Sequence, residues 1–157
     1  MRRAPPQRRA RHPLTAAEEH AHLVAGSRLF NRRAFYETHE EWEEVWRRAS
    51  GPRRDLLHGL IQVSVGYEHL KRGNAHGTQS LLRQGARRLR HQGRRAGVSE
   101  IRRRALADAA RVEAEPSLKL RDIDPPKVML LIDGFGARTP AGAIVIRVPP
   151  GDVRLGG

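Results

Sequence analysis

The chain contains no cysteine, which excludes disulfides and thiolate metal sites. Aromatic residues are scarce, with two Trp, two Tyr and three Phe in 157 residues. No run of about 18 apolar residues occurs, so no membrane-spanning helix is expected. Met1-Arg2-Arg3-Ala4-Pro5-Pro6 lacks the apolar stretch of a secretory signal, and a cytoplasmic protein is expected. Nucleophilic catalysis finds no support either. Ser64 falls inside a helical pattern without a Gly-x-Ser-x-Gly turn, and reads as a small packing residue.

Acids are few relative to bases, 17 against 30 Lys and Arg, for a net charge of +13. The excess sits in two blocks. Residues 1–13 hold five arginines and no acid, and residues 83–104 hold nine arginines and one glutamate. Elsewhere the charges balance. Such blocks suit phosphate-rich partners, although an arginine-rich solvated surface produces the same count.

One domain is expected at this length. Residues 1–13, rich in Arg and Pro, read as a flexible basic arm. Residues 14–116 read as a helical domain. Thr15-Ala16-Ala17-Glu18 has capping-box spacing and starts a helix to about Asn31. A second helix covers 33–49 and stops at Ser50-Gly51-Pro52. A third, 53–72, is apolar around most of its circumference and belongs at the centre of a bundle. Gly73-Asn74 ends it, a fourth runs from Ala75 to Gly93, and a fifth, capped by Ser99, reaches Glu115. The fold class is therefore all-α, a compact bundle of about five antiparallel helices. The extension 117–157 carries two short β-prone runs, 128–132 and 143–148, and reads as an irregular tail or a short hairpin. Asp133-Gly134-Phe135-Gly136 between them is no phosphate loop, because no Gly-Lys-Ser/Thr follows.

The densest chemistry lies in Phe35-Tyr36-Glu37-Thr38-His39-Glu40-Glu41-Trp42-Glu43-Glu44-Val45-Trp46. At about 100° per residue, Phe35, His39, Trp42 and Trp46 share one stripe, with Glu43 at its edge one turn after His39. His39 would thus sit in an aromatic face with a carboxylate in reach. Glu40 lies further round, while Glu37, Glu41 and Glu44 point to solvent. On the third helix His58, Gln62, Val65, Gly66 and His69 form a second stripe. If covered, its polar members need partners, and the acids of the second helix are the expected ones. Gly66 leaves room for a close backbone or a ligand.

Four blocks together resemble domain of unknown function family 309: Leu29-Phe30-Asn31, the motif above, Leu57-His58-Gly59-Leu60-Ile61-Gln62, and Gly66-Tyr67-Glu68-His69 with Gly73-Asn74. Their order and spacing agree over roughly residues 20–90. The resemblance implies a small all-α domain of packed antiparallel helices and no established activity. Some members carry the label of metal-dependent hydrolase. The family's signature positions fall on His39, Glu40, Glu43, Trp46, Gln62, Gly66, His69 and Asn74.

Three readings follow. In the first, His39, Glu40, Glu43 and His69 bind a divalent transition metal (zinc, manganese or iron), with Trp42, Trp46, Gln62, Gly66 and Asn74 lining the site. A metal-bound water would then serve hydrolysis. The spacing is not the two-histidine zincin motif, and no Glu-x-x-His pair of di-iron type is present. In the second, His39, Glu43, Gln62 and His69 form a satisfied network that fixes helix register, and the tryptophans are core. In the third, the arginine block, with Arg87, Arg88, Arg94 and Arg95 foremost, binds nucleic acid or another partner without sequence preference. A homo-oligomer is compatible with all three.

Overall fold

The structure, a computed structural model, describes residues 12–151. Most of the basic arm expected at 1–13 lies outside the described residues. Thr15 starts α1 (Ala16–Asn31) through the capping box read from sequence, its Oγ1 accepting from the Glu18 amide at 3.1 Å. Helix α2 is Phe35–Trp46 and α3 is Gly51–Lys71, with Pro52 in its first turn. Helix α4 is Ala75–Leu89, capped by Asn74 Oδ1, which accepts from the Gly77 amide at 3.0 Å. A 3-10 turn, Arg90–Gln92, leads to α5, Val98–Ala114, and then to a single-turn α6, Leu120–Ile123. Strands β1 (Val128–Ile132) and β2 (Ile144–Val148) complete the chain.

Consecutive long helices pack on one another, α1 on α2, α2 on α3, α3 on α4 and α4 on α5. The expected bundle is therefore present. Leu56, Leu57, Leu60, Val63 and Tyr67 of α3 are buried against neighbours on both sides, as its nearly continuous apolar surface requires. Helices α3 and α4 approach most closely. A Cβ on Gly59 would meet the Leu89 side chain at 2.7 Å, and one on Gly85 would meet the Gly59 carbonyl at 2.8 Å. Gly66 faces Leu82 of α4, so the room expected there is taken by a neighbouring helix. Among the described residues no helix is long and apolar enough to cross a membrane.

The fifth helix begins differently from expectation. Gly97, not Ser99, precedes it with φ 84°, and a side chain at Gly97 would collide with the Val145 carbonyl. Ser99 Oγ instead donates to the Gly93 carbonyl at 3.0 Å.

The C-terminal segment departs further from the sequence reading. It is neither irregular nor a hairpin: β1 and β2 pair in parallel, Val128 opposite Ile144 through Ile132 opposite Val148. A tight turn cannot connect parallel strands, and residues 133–143 provide the crossover. Every residue of β1 is buried. The outer edge of β1 is closed by side chains of α1 rather than by a third strand. Asn31 exchanges two hydrogen bonds with Val128, at 2.9 and 2.8 Å. Ser27 Oγ accepts from the Leu130 amide at 2.9 Å, and His20 Nδ1 accepts from the Ile132 amide at 3.2 Å. Alternate strand residues thus meet helix positions separated by four and seven, spacings that keep both sets on facing sides. The β2 edge is covered by the α4–α5 connection, where Arg95 Nη1 donates to the Arg147 carbonyl at 2.7 Å.

A buried ion pair joins Glu19 of α1 to Arg53 of α3, and Arg53 Nε also donates to the Pro149 carbonyl at 2.7 Å. Opposite it, Tyr67 Oη donates to Asp108 Oδ2 at 2.6 Å, and Arg104 Nε reaches the same carboxylate at 3.0 Å. Asp108 is 2% exposed. Burial pushes its carboxyl above the usual range, against the lowering effects of Tyr67 and Arg104.

Ser27→Ala removes the acceptor of a buried strand amide and should cost about 1–3 kcal/mol in urea denaturation, with faster exchange at the Leu130 amide. Tyr67→Phe removes a hydrogen bond that favours the ionised form of the buried Asp108 carboxyl. Its folded pKa is already raised, so the ionised form costs stability above that value and the cost vanishes as pH falls through it. The Tyr67→Phe destabilisation should therefore be largest near neutral pH and shrink on acidification, as followed by thermal unfolding between pH 7 and 4.

Candidate functional site

The motif helix α2 is shaped by its aromatic stripe. Phe35 and Trp42 are buried at 0% and 1% exposure, packed with Phe30 and Tyr67. Trp42 Nε1 donates to the Leu23 carbonyl at 3.1 Å, and its indole occupies the space that a side chain at Gly26 would need. Trp42 is thus a structural pin between α1 and α2. Trp46 lies at the end of the stripe, half-buried. Arg54 stacks its guanidinium 4.1 Å above the Trp46 ring and His58 lies 5.2 Å away. Trp46 Nε1 is buried without a hydrogen-bond partner.

His39 pairs with Glu43 as the one-turn spacing predicts, Nε2 to Oε2 at 3.0 Å. It is not enclosed in the aromatic face, however, since its side chain is 32% exposed. Glu43 is shared with Arg47 Nη2 at 2.9 Å, so its charge is already balanced by a permanent cation. Glu40 is exposed. His69 turns to α4, its Nδ1 lying 3.1 Å from the Asn74 amide nitrogen. Among the described residues, no three or more His, Asp or Glu side chains are gathered so as to hold a metal ion. Of the four expected ligands the structure brings together His39 and Glu43 as a half-exposed pair.

Gln62 was expected to meet the acids of α2, and it faces α4 instead. Gln62 Oε1 accepts from Arg88 Nε at 3.1 Å, its amide donates to Gln84 Oε1 at 3.4 Å, and the Gln84 amide donates to Ser80 Oγ at 2.8 Å. These residues, with Arg83 and Arg87, line an open cleft of about 560 Å³ between α3 and α4. A second cleft of about 530 Å³ follows along the chain, lined by His91, Gln92, Arg94, Arg95, Asp133 and Arg147. All four arginines singled out from sequence line one cleft or the other. Arg83, Gln84, Ser80 and Arg147 were missed. Arg147 had no local signal, because only the parallel pairing of β2 brings it beside Arg95.

The electrostatics of this side leave a mark on His58. Burial, then the charges of Arg88 and Arg54, push its imidazole below the ordinary value, with Asp55 opposing. Residues 83–95 include six arginines and no acid, whereas α2 carries five glutamates and no Lys or Arg. The two segments differ in composition, although Glu43 and Glu44 of α2 are paired with Arg47 and Arg48 just beyond its end.

The structure makes His39→Ala mild and Trp42→Ala severe. The first loses a partly exposed pair and should change stability by less than about 1 kcal/mol. The second empties a core site and should cost about 3–5 kcal/mol in the same denaturation experiment.

No curated protein and no solved structure matches the chain. Residues 23–81 match the model of a family described as Domain of unknown function (DUF309). The match runs from Leu23 of α1 through α2 and α3 into the first half of α4, the region of the four sequence blocks, and it is this helical segment that is similar to the DUF309 family.

Proposed function

We propose that the protein is a non-catalytic helical module that binds nucleic acid through its arginine face. The supporting observation is the pair of consecutive clefts that contain Arg87 and Arg88, then Arg94, Arg95 and Arg147. Neither cleft contains a Phe, Tyr or Trp on which a base could stack, and the second offers only the imidazole of His91. Recognition would therefore rest on phosphates, without base readout, and affinity would be sequence-independent. The α2 motif then serves the fold, through Trp42 and Phe35, rather than a reaction.

Fluorescence anisotropy with a labelled single-stranded oligonucleotide tests this reading. The logarithm of affinity should fall linearly with the logarithm of salt, and the slope should decrease by about 0.7 for each contacting arginine removed. The Arg87→Ala/Arg88→Ala/Arg94→Ala/Arg95→Ala variant should lose most of the binding, while Glu37→Gln or Glu40→Gln retains it. Unchanged affinity in the fourfold variant contradicts the proposal. His58 supplies an internal reporter. Neutralising the Arg88 charge, by Arg88→Ala or by a bound strand, should raise the His58 pKa in an NMR titration.

A further inference from the structure

The two clefts are built differently, and the difference bears on what each can hold. In the second, Arg94 and Arg95 follow a 3-10 turn and Asp133 contributes an acid. In the first, every lining residue is polar or cationic and none is acidic: Gln62, Ser80, Arg83, Gln84, Arg87 and Arg88. Two of its three cations are also held in place. Arg88 is fixed through Nε by Gln62, which is itself fixed by Gln84 and, beyond it, Ser80. Arg83 is tethered to Glu113. Among the described residues the Arg87 guanidinium has no hydrogen-bond partner. Ordered donors around a ligand-sized space lower the entropic cost of binding.

We infer that the α3–α4 cleft is a phosphate-monoester site, with Arg87 and Arg88 as its cationic donors and Gln62 as the residue that positions Arg88. The inference rests on the nucleic-acid reading above and names the part of the strand this cleft takes, its phosphorylated end. An internal phosphodiester carries one negative charge, two non-bridging oxygens and a nucleotide on each side. A terminal monoester carries nearly two charges and three free oxygens, and needs a pocket rather than a continuous track. No carboxylate lines the cleft itself; Asp55 Oδ1 lies 3.6 Å from Arg88 Nη1 and Glu113 engages Arg83, so the second charge would fall chiefly to the unengaged Arg87 guanidinium. The hydroxyl of Ser80 and the amide of Gln84 suit the sugar hydroxyls beside it. A small sugar phosphate presents the same chemistry, and the experiment separates the two sources.

Affinities are measured for one oligonucleotide sequence in three forms, 5′-phosphorylated, 3′-phosphorylated and unphosphorylated, at fixed salt, with ribose 5-phosphate titrated separately by calorimetry. A phosphorylated form should bind at least about tenfold more tightly than the unphosphorylated one, beyond the effect of one more backbone charge. Arg88→Gln and Gln62→Ala should each erase that preference while retaining salt-dependent binding. Arg94→Ala/Arg95→Ala should weaken all three forms by the same factor and leave the preference intact. The Gln62→Ala outcome separates positioning from scaffolding, because a general loss of structure would reduce every form equally. Saturable, Arg88-dependent binding of ribose 5-phosphate without an end preference would support the monoester site and assign it to small phosphates. Equal affinity for all three forms, with no binding of ribose 5-phosphate, overturns the monoester site and leaves the polyanion reading standing. Loss of all oligonucleotide binding in the unaltered protein overturns the polyanion reading itself.

Discussion

The backbone contact between Gly59 of α3 and Gly85 of α4 is the constraint from which the basic side of the molecule follows. A side chain at Gly85 would run into the Gly59 carbonyl at 2.8 Å, and one at Gly59 would meet Leu89 at 2.7 Å and the Gly85 carbonyl at 3.2 Å. With the axes this close, Gly66 meets Leu82 about two turns further along α3, and Gln62, between Gly59 and Gly66, is brought against Gln84 and Arg88. Overpacked helix interfaces lose about 1–3 kcal/mol and shift their helices. A methyl group at Gly59 would therefore disturb the cleft as well as the core, because the same contact sets both.

Much of this fold was legible from periodicity and punctuation. Thr15 and Glu18 cap α1 as their spacing requires, Gly51-Pro52 starts α3 after a break, and Gly73-Asn74 separates α3 from α4. Those signals are local, carried by residues within a turn of one another. The C-terminal strands were misread for the opposite reason. The side chains that close the β1 edge, His20, Ser27 and Asn31, lie about a hundred residues earlier, on a helix whose own pattern gives them no special role. Glu19 and Arg53 lie 34 residues apart, and neither carries any local mark of burial. Pairing at such separation is decided by topology.

The motif on α2 teaches a narrower lesson. Its spacing correctly predicts the His39–Glu43 pair and the burial of Phe35 and Trp42. It does not predict that His39 stays partly in solvent with Arg47 sharing its carboxylate, or that His69 and Gln62 turn toward α4. Helical spacing places residues on a face without naming the helix that covers it. The stripe His58, Gln62, His69 divides accordingly, with His58 against Trp46 of α2 and the other two against α4 and its cap. Dense motif chemistry marks the part of the chain that builds the core, while the cationic clefts join the arginines of the 83–104 block, legible in sequence, to Arg147, which only the pairing of β2 places beside them.

Hydrogen-exchange footprinting with a bound oligonucleotide tests the assignment of that face most directly, since it reads every segment at once. Protection confined to the second half of α4, the turn at residues 90–97 and the Arg147 end of β2, with α2 unaffected, is the predicted pattern. Protection centred on α2 around His39 and Glu43, with α4 unchanged, would contradict it and return the site to the motif helix.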